Sequence, residues 1–503
     1  TGQSIPFGGR DLRIHPDTGG LVAESGMTQY GRTSDDWGHW FGCNNTYPIW
    51  HYVLSDTDLR RNPHFVPQDI RHHVSVTPGA APVFPTSRTL PRFNDFHMAD
   101  RFTSACGLTI YRDRLLGDSF VGNYFVCEPV HNLVQREVMT TLGTTFQSQR
   151  APDEQDREFL SSADHWFRPV MARTGPDGAL WVADMYRLVI EHPEWIPASW
   201  QAKLNLRAGD DMGRIYRVYP KSATPREFPR LDRMSPTELV AALESDNGWV
   251  RDMAQQLLIW NAAPPAPDLL AALLRDSARP LARLHALATL QGLNQLSDAS
   301  LQVGLQDPHP GVRQHALRLA AGRFANNSAM LEVAIGQLQQ ESDPQVLLAA
   351  TLAMGDTDSE AFARQVMHRV ADRLSDPYLR QAALSSIHER NLTALMETLL
   401  QHWTTKSDAV LDAGRAEVWS GLLRFVVASG NQELFQSFVL ALLPSDSDPA
   451  LAGVTAVVKQ RLQQDPAGNL WRIQALTELL SGVGDRDPQS WTPEFVARLE
   501  QIG

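Results

Sequence analysis

Two periodicities divide the chain. Up to about Pro220, short runs rich in aromatic and β-branched residues are punctuated by Gly, Pro, Asp and Asn. GHWFGCNNTYPIWHYVL, GNYFVCEPVHNLVQREV and GRIYRVYP have the composition of strands. HPDTGG at 15–20 and TGPDGALWVAD at 174–184 are turns that feed strands, Pro and Asp setting the bend and Gly accepting positive φ. Antiparallel strands at this spacing predict a sandwich, a barrel or propeller blades. Units of blade size, about 40–50 residues each, run from Gly9 to Asp56, from Arg101 to Arg150 and from Trp166 to Pro220.

Beyond about Ser235 the period becomes helical, with Leu and Ala on one face of LVAALESDNGWVRDMAQQLLIW and LLAALLRDSARPLARLHALATLQGL. A polar motif then recurs between helices: ESDNGWVRDMA, LRDSARPLARLHA, LQDPHPGVRQHA, ESDPQVLLAA and LSDPYLRQAA. Its aspartates, Asp246, Asp276, Asp307, Asp343 and Asp376, are 30 to 36 residues apart. Each stands where a short side chain can cap the free N–H groups of the next helix. Arg251, Arg313 and Arg380 follow within reach of such an aspartate. The pattern predicts antiparallel helix pairs of the HEAT type, each burying its apolar face against its neighbours. The marker fades after about Leu392, although helical stretches such as EVWSGLLRFVVAS and LFQSFVLALL continue.

Composition narrows the function classes. At 503 residues, 43% hydrophobic and 20% charged, the chain is an ordinary folded protein of more than one domain. No apolar run approaches the ~20 residues that span a bilayer. A net charge of −12 argues against a general nucleic-acid binder. Three cysteines, with no CxxC, CxxCH or HExxH, exclude a disulfide scaffold and argue against zinc or covalently held haem in these residues. Cys106 and Cys127 flank a predicted hairpin turn, RDRLLGDS, and are candidates either for a cross-strand disulfide or for two reduced core thiols. The opening TGQSIPFGGR is not a signal peptide.

Five long segments carry a resemblance: GGRDLRIHPDTG, DWGHWFGCNNTYPIWHYVL, RFTSACGLTIYRDRLLGDSFVGNYFVCEPVHNLVQRE, DHWFRPVMARTGPDGALWVADMYRLVIEHPEWIP and AGDDMGRIYRVYP. Over residues 9 to about 220 the chain resembles the dehydrogenase-like β-propeller of large secreted planctomycete and verrucomicrobial proteins. The resemblance implies a propeller, then helical repeats, and in the family a C-terminal cytochrome c domain that is absent here. The expected fold is therefore multidomain, β then α. A truncated six-bladed-type β-propeller, about three blades, would occupy residues 1–225, and an all-α HEAT-like solenoid would occupy 226–503. The implied activity is extracytoplasmic, periplasmic or secreted: oxidation of a sugar or polyol, with electrons passing to a cytochrome c domain or protein.

A more distant resemblance, to soluble PQQ-dependent glucose and sorbosone dehydrogenases, implies pyrroloquinoline quinone (PQQ) and calcium as cofactors. On that resemblance Arg10 of GGRDLRIHPDTG and Arg168 of FRPVMARTGPDG match arginines that contact the quinone. His131 of EPVHNLV stands where those enzymes place a lysine. The catalytic base is expected in a segment upstream of Thr1.

Residue chemistry leaves alternatives open. Arg168 opens a predicted strand, where its planar guanidinium suits a carboxylate or quinone oxygen, or equally a brace to Asp164 or Asp184. Glu128 and His131 suit an acid–base pair or a backbone-bonded strand edge. With Asp184 and Arg187 of ADMYR, the candidates for lining a substrate pocket are Glu128, Asp164, Asp184 and Arg187. Glu191, His192 and Glu194 suit acid–base or ligand roles, but a structural loop packed by Trp195 on the first helices is the commoner case. Trp37, Trp40, Tyr47 and Trp50 suit stacking on a sugar ring, or gluing blades together. The rival function class is a non-catalytic scaffold that grips carbohydrate or protein, with a protein partner on the helical repeats.

Overall fold

The aromatic-rich runs form small antiparallel sheets, none closed on itself, and helices follow them in the chain. The structure, a computed structural model, describes residues 7–68, 70–77, 79–88, 100–262, 266–403, 409–429 and 431. LFQSFVLALL lies outside the described residues. Two units are distinguished: Thr1–Ser55 with Ile70–Ser300, and Asp56–Asp69 with Leu301–Gly503.

In the first unit, β1 (Asp11–His15) and β2 (Gly20–Glu24) form a hairpin of their own. A four-stranded sheet in sequential order holds β3 (Arg32–Ser34), β4 (Trp40–Asn44), β5 (Tyr47–Tyr52) and β6 (Arg71–His73). The next sheet runs β7 (Cys106–Ile110), β8 (Tyr124–Glu128), β9 (Leu133–Leu142), β10 (Thr145–Arg150), with β11 (Leu160–Ser161) beside the start of β9. The last is β12 (Pro169–Thr174), β13 (Leu180–Asp184) and β14 (Arg214–Val218). These three sheets fall on the units marked off in the sequence, except that β1 and β2 stand apart from the first and β6 extends it.

In the five-stranded sheet, β7, β8 and the first half of β9 are buried on both faces, while the far end of β9 and alternate residues of β10 reach solvent. Along β8, Tyr124 and Val126 face a core with Phe41, Ile49, Phe102 and Phe146, while Phe125 and Cys127 face one with Ala172, Leu180 and Val182. A strand covered on both sides reads as a continuous apolar run rather than an alternation, as YFVC does. Each large side chain so buried contributes roughly 1.5–3 kcal/mol.

Cys106 and Cys127 are register partners across β7 and β8, and both are free thiols. Burial pushes the Cys43 thiol up to about 12 and raises Cys106 and Cys127 as well. An aromatic disulfide reagent at about pH 8 is expected to label no cysteine in the native protein and all of them in urea. Labelling of one alone in urea would instead reveal an oxidised Cys106–Cys127 pair.

Helices α2 (Ala198–Gln201), α3 (Pro236–Ala242), α4 (Gly248–Asn261), α5 (Ala266–Asp276), α6 (Pro280–Gly292) and α7 (Asp298–Leu305) come next. The second unit takes the β5–β6 connection, with α1 (Asp56–Leu59), against its helices. Asn62 Nδ2 donates to Leu384 O at 2.8 Å, and the Gln68 N–H donates to Gln381 Oε1 at 3.0 Å. Its helices are α8 (Pro310–Ala320), α9 (Ser328–Leu338), α10 (Pro344–Ala353), α11 (Glu360–Val370), α12 (Pro377–Ser385), α13 (Leu392–Trp403) and α14 (Ala409–Ser429).

The recurrent aspartates do not all cap. Asp343 and Asp376 accept from the first N–H groups of α10 and α12, but α4, α6 and α8 are entered through Asn247, Arg279 and His309. The constant element is an arginine four residues past the cap, bonded to the carbonyl six residues behind it. Arg251, Arg283, Arg313 and Arg380 donate through Nη1 to Ser245, Ser277, Asp307 and Leu374 at 2.7, 2.8, 2.9 and 2.7 Å. Leu347 occupies the matching place in α10, and the Glu341 carbonyl is held from α11 by Arg369 Nη2 at 2.7 Å. The arginines' acidic partners lie outside their own motif: Asp36 for Arg251, Glu341 for Arg313 and Glu417 for Arg380.

Candidate functional site

The β12–β13 register places Pro169 opposite Asp184, so Arg168 lies beside the segment that leaves β13. Its backbone N–H donates to Asp184 Oδ1 at 2.7 Å, and the same oxygen accepts the Tyr186 N–H at 2.8 Å. The guanidinium is buried and faces main-chain carbonyls: Pro129 at 2.8 Å, Arg187 at 3.0 Å, Leu188 at 3.1 Å and Val130 at 3.3 Å. Burial pulls Arg168 down to about 10, against the attraction of Asp184, Asp164 and Glu128. The side chain thus staples the turn Pro129–Asn132 to the strand exit at 187–188. The acceptors of the guanidinium are carbonyls rather than the carboxylates of Asp164 or Asp184.

Glu128 and His131 sit at the two ends of that turn, both buried. Glu128 Oε2 accepts the N–H groups of Thr103 and Ser104 at 3.1 and 2.9 Å, and Oε1 accepts the Ser104 hydroxyl. His131 Nε2 accepts the Asp100 N–H at 3.0 Å, which leaves Nδ1–H to point at Glu128 Oε1, 3.3 Å away. Asn132, at φ 58, anchors the turn by donating to Phe167 O at 2.5 Å. Carboxylate and imidazole are therefore bonded to backbone and to each other.

The remaining candidates diverge. Asp164 is exposed; it accepts the Tyr186 hydroxyl at 2.9 Å, and Arg214 lies 3.6 Å over the Tyr186 ring. Arg187 donates to Leu206 O at 2.9 Å. Two buried atoms here lack a partner among the described residues, Asp184 Oδ2 and Arg187 Nε. Arg10 belongs to the separate β1–β2 hairpin, where its Nε donates to Phe7 O at 2.8 Å. The structure thus gathers Glu128, His131, Arg168, Asp184 and Arg187 around one turn, with Arg10 in a different sheet.

Trp50 is buried with Arg71 4.8 Å over its ring and Tyr47 beside it, as glue; Trp40 is half-exposed, with Arg32 5.1 Å away. Trp195, expected to pack on the first helices, is 63% exposed. His192 and Glu194 also point outward.

The contact between the sheets and α4 includes charges that no local pattern marks as partners. Asp36 accepts from Arg112 at 2.7 Å and from Arg251, and Arg112 reaches on to Asp252 at 2.7 Å. Burial would raise the Asp36 pKa, but Arg112 and Arg251 outweigh it and hold the carboxyl below its usual range. Beside this, Asp113 accepts from Arg226 and, at 2.7 Å, from Asn247 Nδ2, while Asp177 accepts from Arg217 and, at 3.0 Å, from Trp181 Nε1. Only the DG pair of the Asp177 turn was a local signal; the other partners are too far apart in sequence.

A family model described as a domain of unknown function (DUF7133) matches residues 1–222, the region of the sheets. No curated protein matches the chain. Among solved structures, a crystal structure of an engineered protein is 16% identical and covers 50% of this chain and all of its own, at a TM-score of 0.22.

Proposed function

We propose that this chain is a non-catalytic binding scaffold, with propeller-type sheets and HEAT-like helical repeats that present surfaces to a protein or carbohydrate partner. The observation that carries this reading is the Arg168 guanidinium, engaged by four backbone carbonyls and so turned to holding the fold. Glu128 and His131, engaged by backbone N–H groups, the Ser104 hydroxyl and each other, support it further. The face-to-face packing of three successive sheets, in chain order, supports propeller-type blades.

The second reading is a dehydrogenase-like module of an extracytoplasmic protein, binding PQQ and calcium. The partnerless Asp184 Oδ2 and Arg187 Nε favour it, since a buried polar atom without a protein partner suits a ligand or a water. Titration of the protein with PQQ and Ca²⁺, followed by quinone absorbance and thermal melting, separates the two. A scaffold gives no saturable quinone binding and an unchanged Tm. Saturable binding that is lost in Arg187→Ala, a variant that stays folded, would replace the scaffold reading with the dehydrogenase one.

A further inference from the structure

In the second unit, the end of α11, the turn at 371–373 and the end of α13 surround a pocket of about 490 Å³. Among the described residues it is lined by His368, Arg369, Asp372, Arg373 and His402. The two imidazoles touch, with His402 Nε2 2.9 Å from His368 Nδ1. On the other side, His402 Nδ1 lies 3.3 Å from Asp372 Oδ1, which also accepts from the fully buried Arg415 at 2.6 Å. An ionised Asp372 takes the Nδ1–H of His402, so Nε2 of His402 accepts the Nδ1–H of His368. This relay occupies His368 Nδ1 and leaves Nε2 as the far end of the chain of bonds, on a side chain that is exposed.

Charge around the relay is lopsided. Arg369 donates through Nε and Nη2 to Glu341 O, and Arg373 through Nη1 to Arg369 O. Carbonyls thus orient both guanidiniums without neutralising them, and no carboxylate ion pair is recorded for either among the described residues. Arg415 is matched by Asp372. Among the described residues nearby, Arg364 pairs with Glu397 and Glu360, and Glu341 with Arg313. Burial lowers the His402 pKa, with Asp372 opposing and the neighbouring His368 and Arg415 adding to the fall. Two guanidiniums without a carboxylate partner among the described residues, beside the pair, make this a place where added positive charge calls for an anion.

We propose that this pocket is an anion site for a doubly charged oxyanion of the phosphate type, held by Arg369, Arg373 and the His368–His402 pair with uptake of one proton. The planar forks of Arg and the N–H of a protonated imidazole match tetrahedral oxygens. Linkage fixes the sign: a ligand that favours the protonated pair binds more tightly as pH falls.

Sulfate is the probe, because it stays a dianion where phosphate itself titrates. Calorimetry on the full chain, in two buffers of different ionisation heat, is expected to show saturable binding about tenfold tighter at about pH 6 than at about pH 8. Proton uptake near one accompanies it. Arg373→Ala is expected to weaken binding about tenfold at the lower pH, and His368→Ala, an exposed substitution, to abolish the pH dependence. Inorganic phosphate and glycerol phosphate compete, and the tighter of the two identifies a free or an esterified phosphate as the natural charge. No saturable sulfate binding by folded protein at the lower pH, or equal affinity at both, overturns the proposal.

Discussion

Asp36→Ala is expected to destabilise the first unit by about 3–5 kcal/mol, the cost of leaving buried cations without their partner. Arg251 is almost wholly buried and Arg112 nearly so, and both converge on this one carboxylate. Removing it leaves Arg251 with the Ser245 carbonyl and Arg112 with Asp252. Urea titration of the variant beside the parent reads the difference as a fall in midpoint at constant slope. The pH dependence follows from the depressed carboxyl. A group whose folded pKa lies below its unfolded value adds stability that is complete above the unfolded pKa and disappears as pH falls through the folded one. The parent should therefore lose this contribution below about pH 4. Asp36→Asn, which cannot ionise, should show a flatter acid limb. An Asp36→Ala protein as stable as the parent would mean the network is ornamental.

Arg168→Ala is expected to cost about 3 kcal/mol or more, because it strips the donor shared by the carbonyls of Pro129 and Val130 in the turn and of Arg187 and Leu188 at the strand exit. Arg168→Lys keeps the charge but has no planar fork, and is expected to recover less than half of that loss. Thermal melts of the two variants supply the check. A residue held in reserve for a cofactor would behave differently, leaving stability of the unliganded protein nearly unchanged. The size of the loss thus bears directly on whether this arginine serves the fold or a ligand.

Sheet boundaries were legible where local chemistry decides them. The TGPDG turn places β12 and β13, and YFVC and LVQREV place β8 and β9, because composition and turn residues act within a few positions. The helical repeats were legible as a spacing, but their index was misplaced. The aspartates are the visible mark, although the residue at the cap position shifts from Asn247 to Arg279 to His309 to Asp343, and the arginine four residues on recurs at every one of these helices except α10, where Leu347 stands. Arg283 belongs to the same series, but nothing in its local sequence marks it, because its bond is to a carbonyl that a sequence does not display. The Asp36–Arg112–Arg251 cluster was illegible for a simpler reason. Its members come from three distant segments, and nothing local marks a charge that will be buried. The same holds for His368 and His402, which meet only through the packing of α11 on α13.

The carbonyl latches have a consequence for how this chain comes apart. A guanidinium on a main-chain oxygen has no proton to gain or lose in ordinary acid, so the fastenings at Ser245, Ser277, Asp307, Glu341 and Leu374 survive when Glu341 and Glu417 are neutralised. The joint that ties the sheets to α4 through Asp36 has no such immunity. Acid therefore sorts the two kinds of fastening into an order of disassembly, loosening the sheets from their first long helix while each helical turn stays clasped.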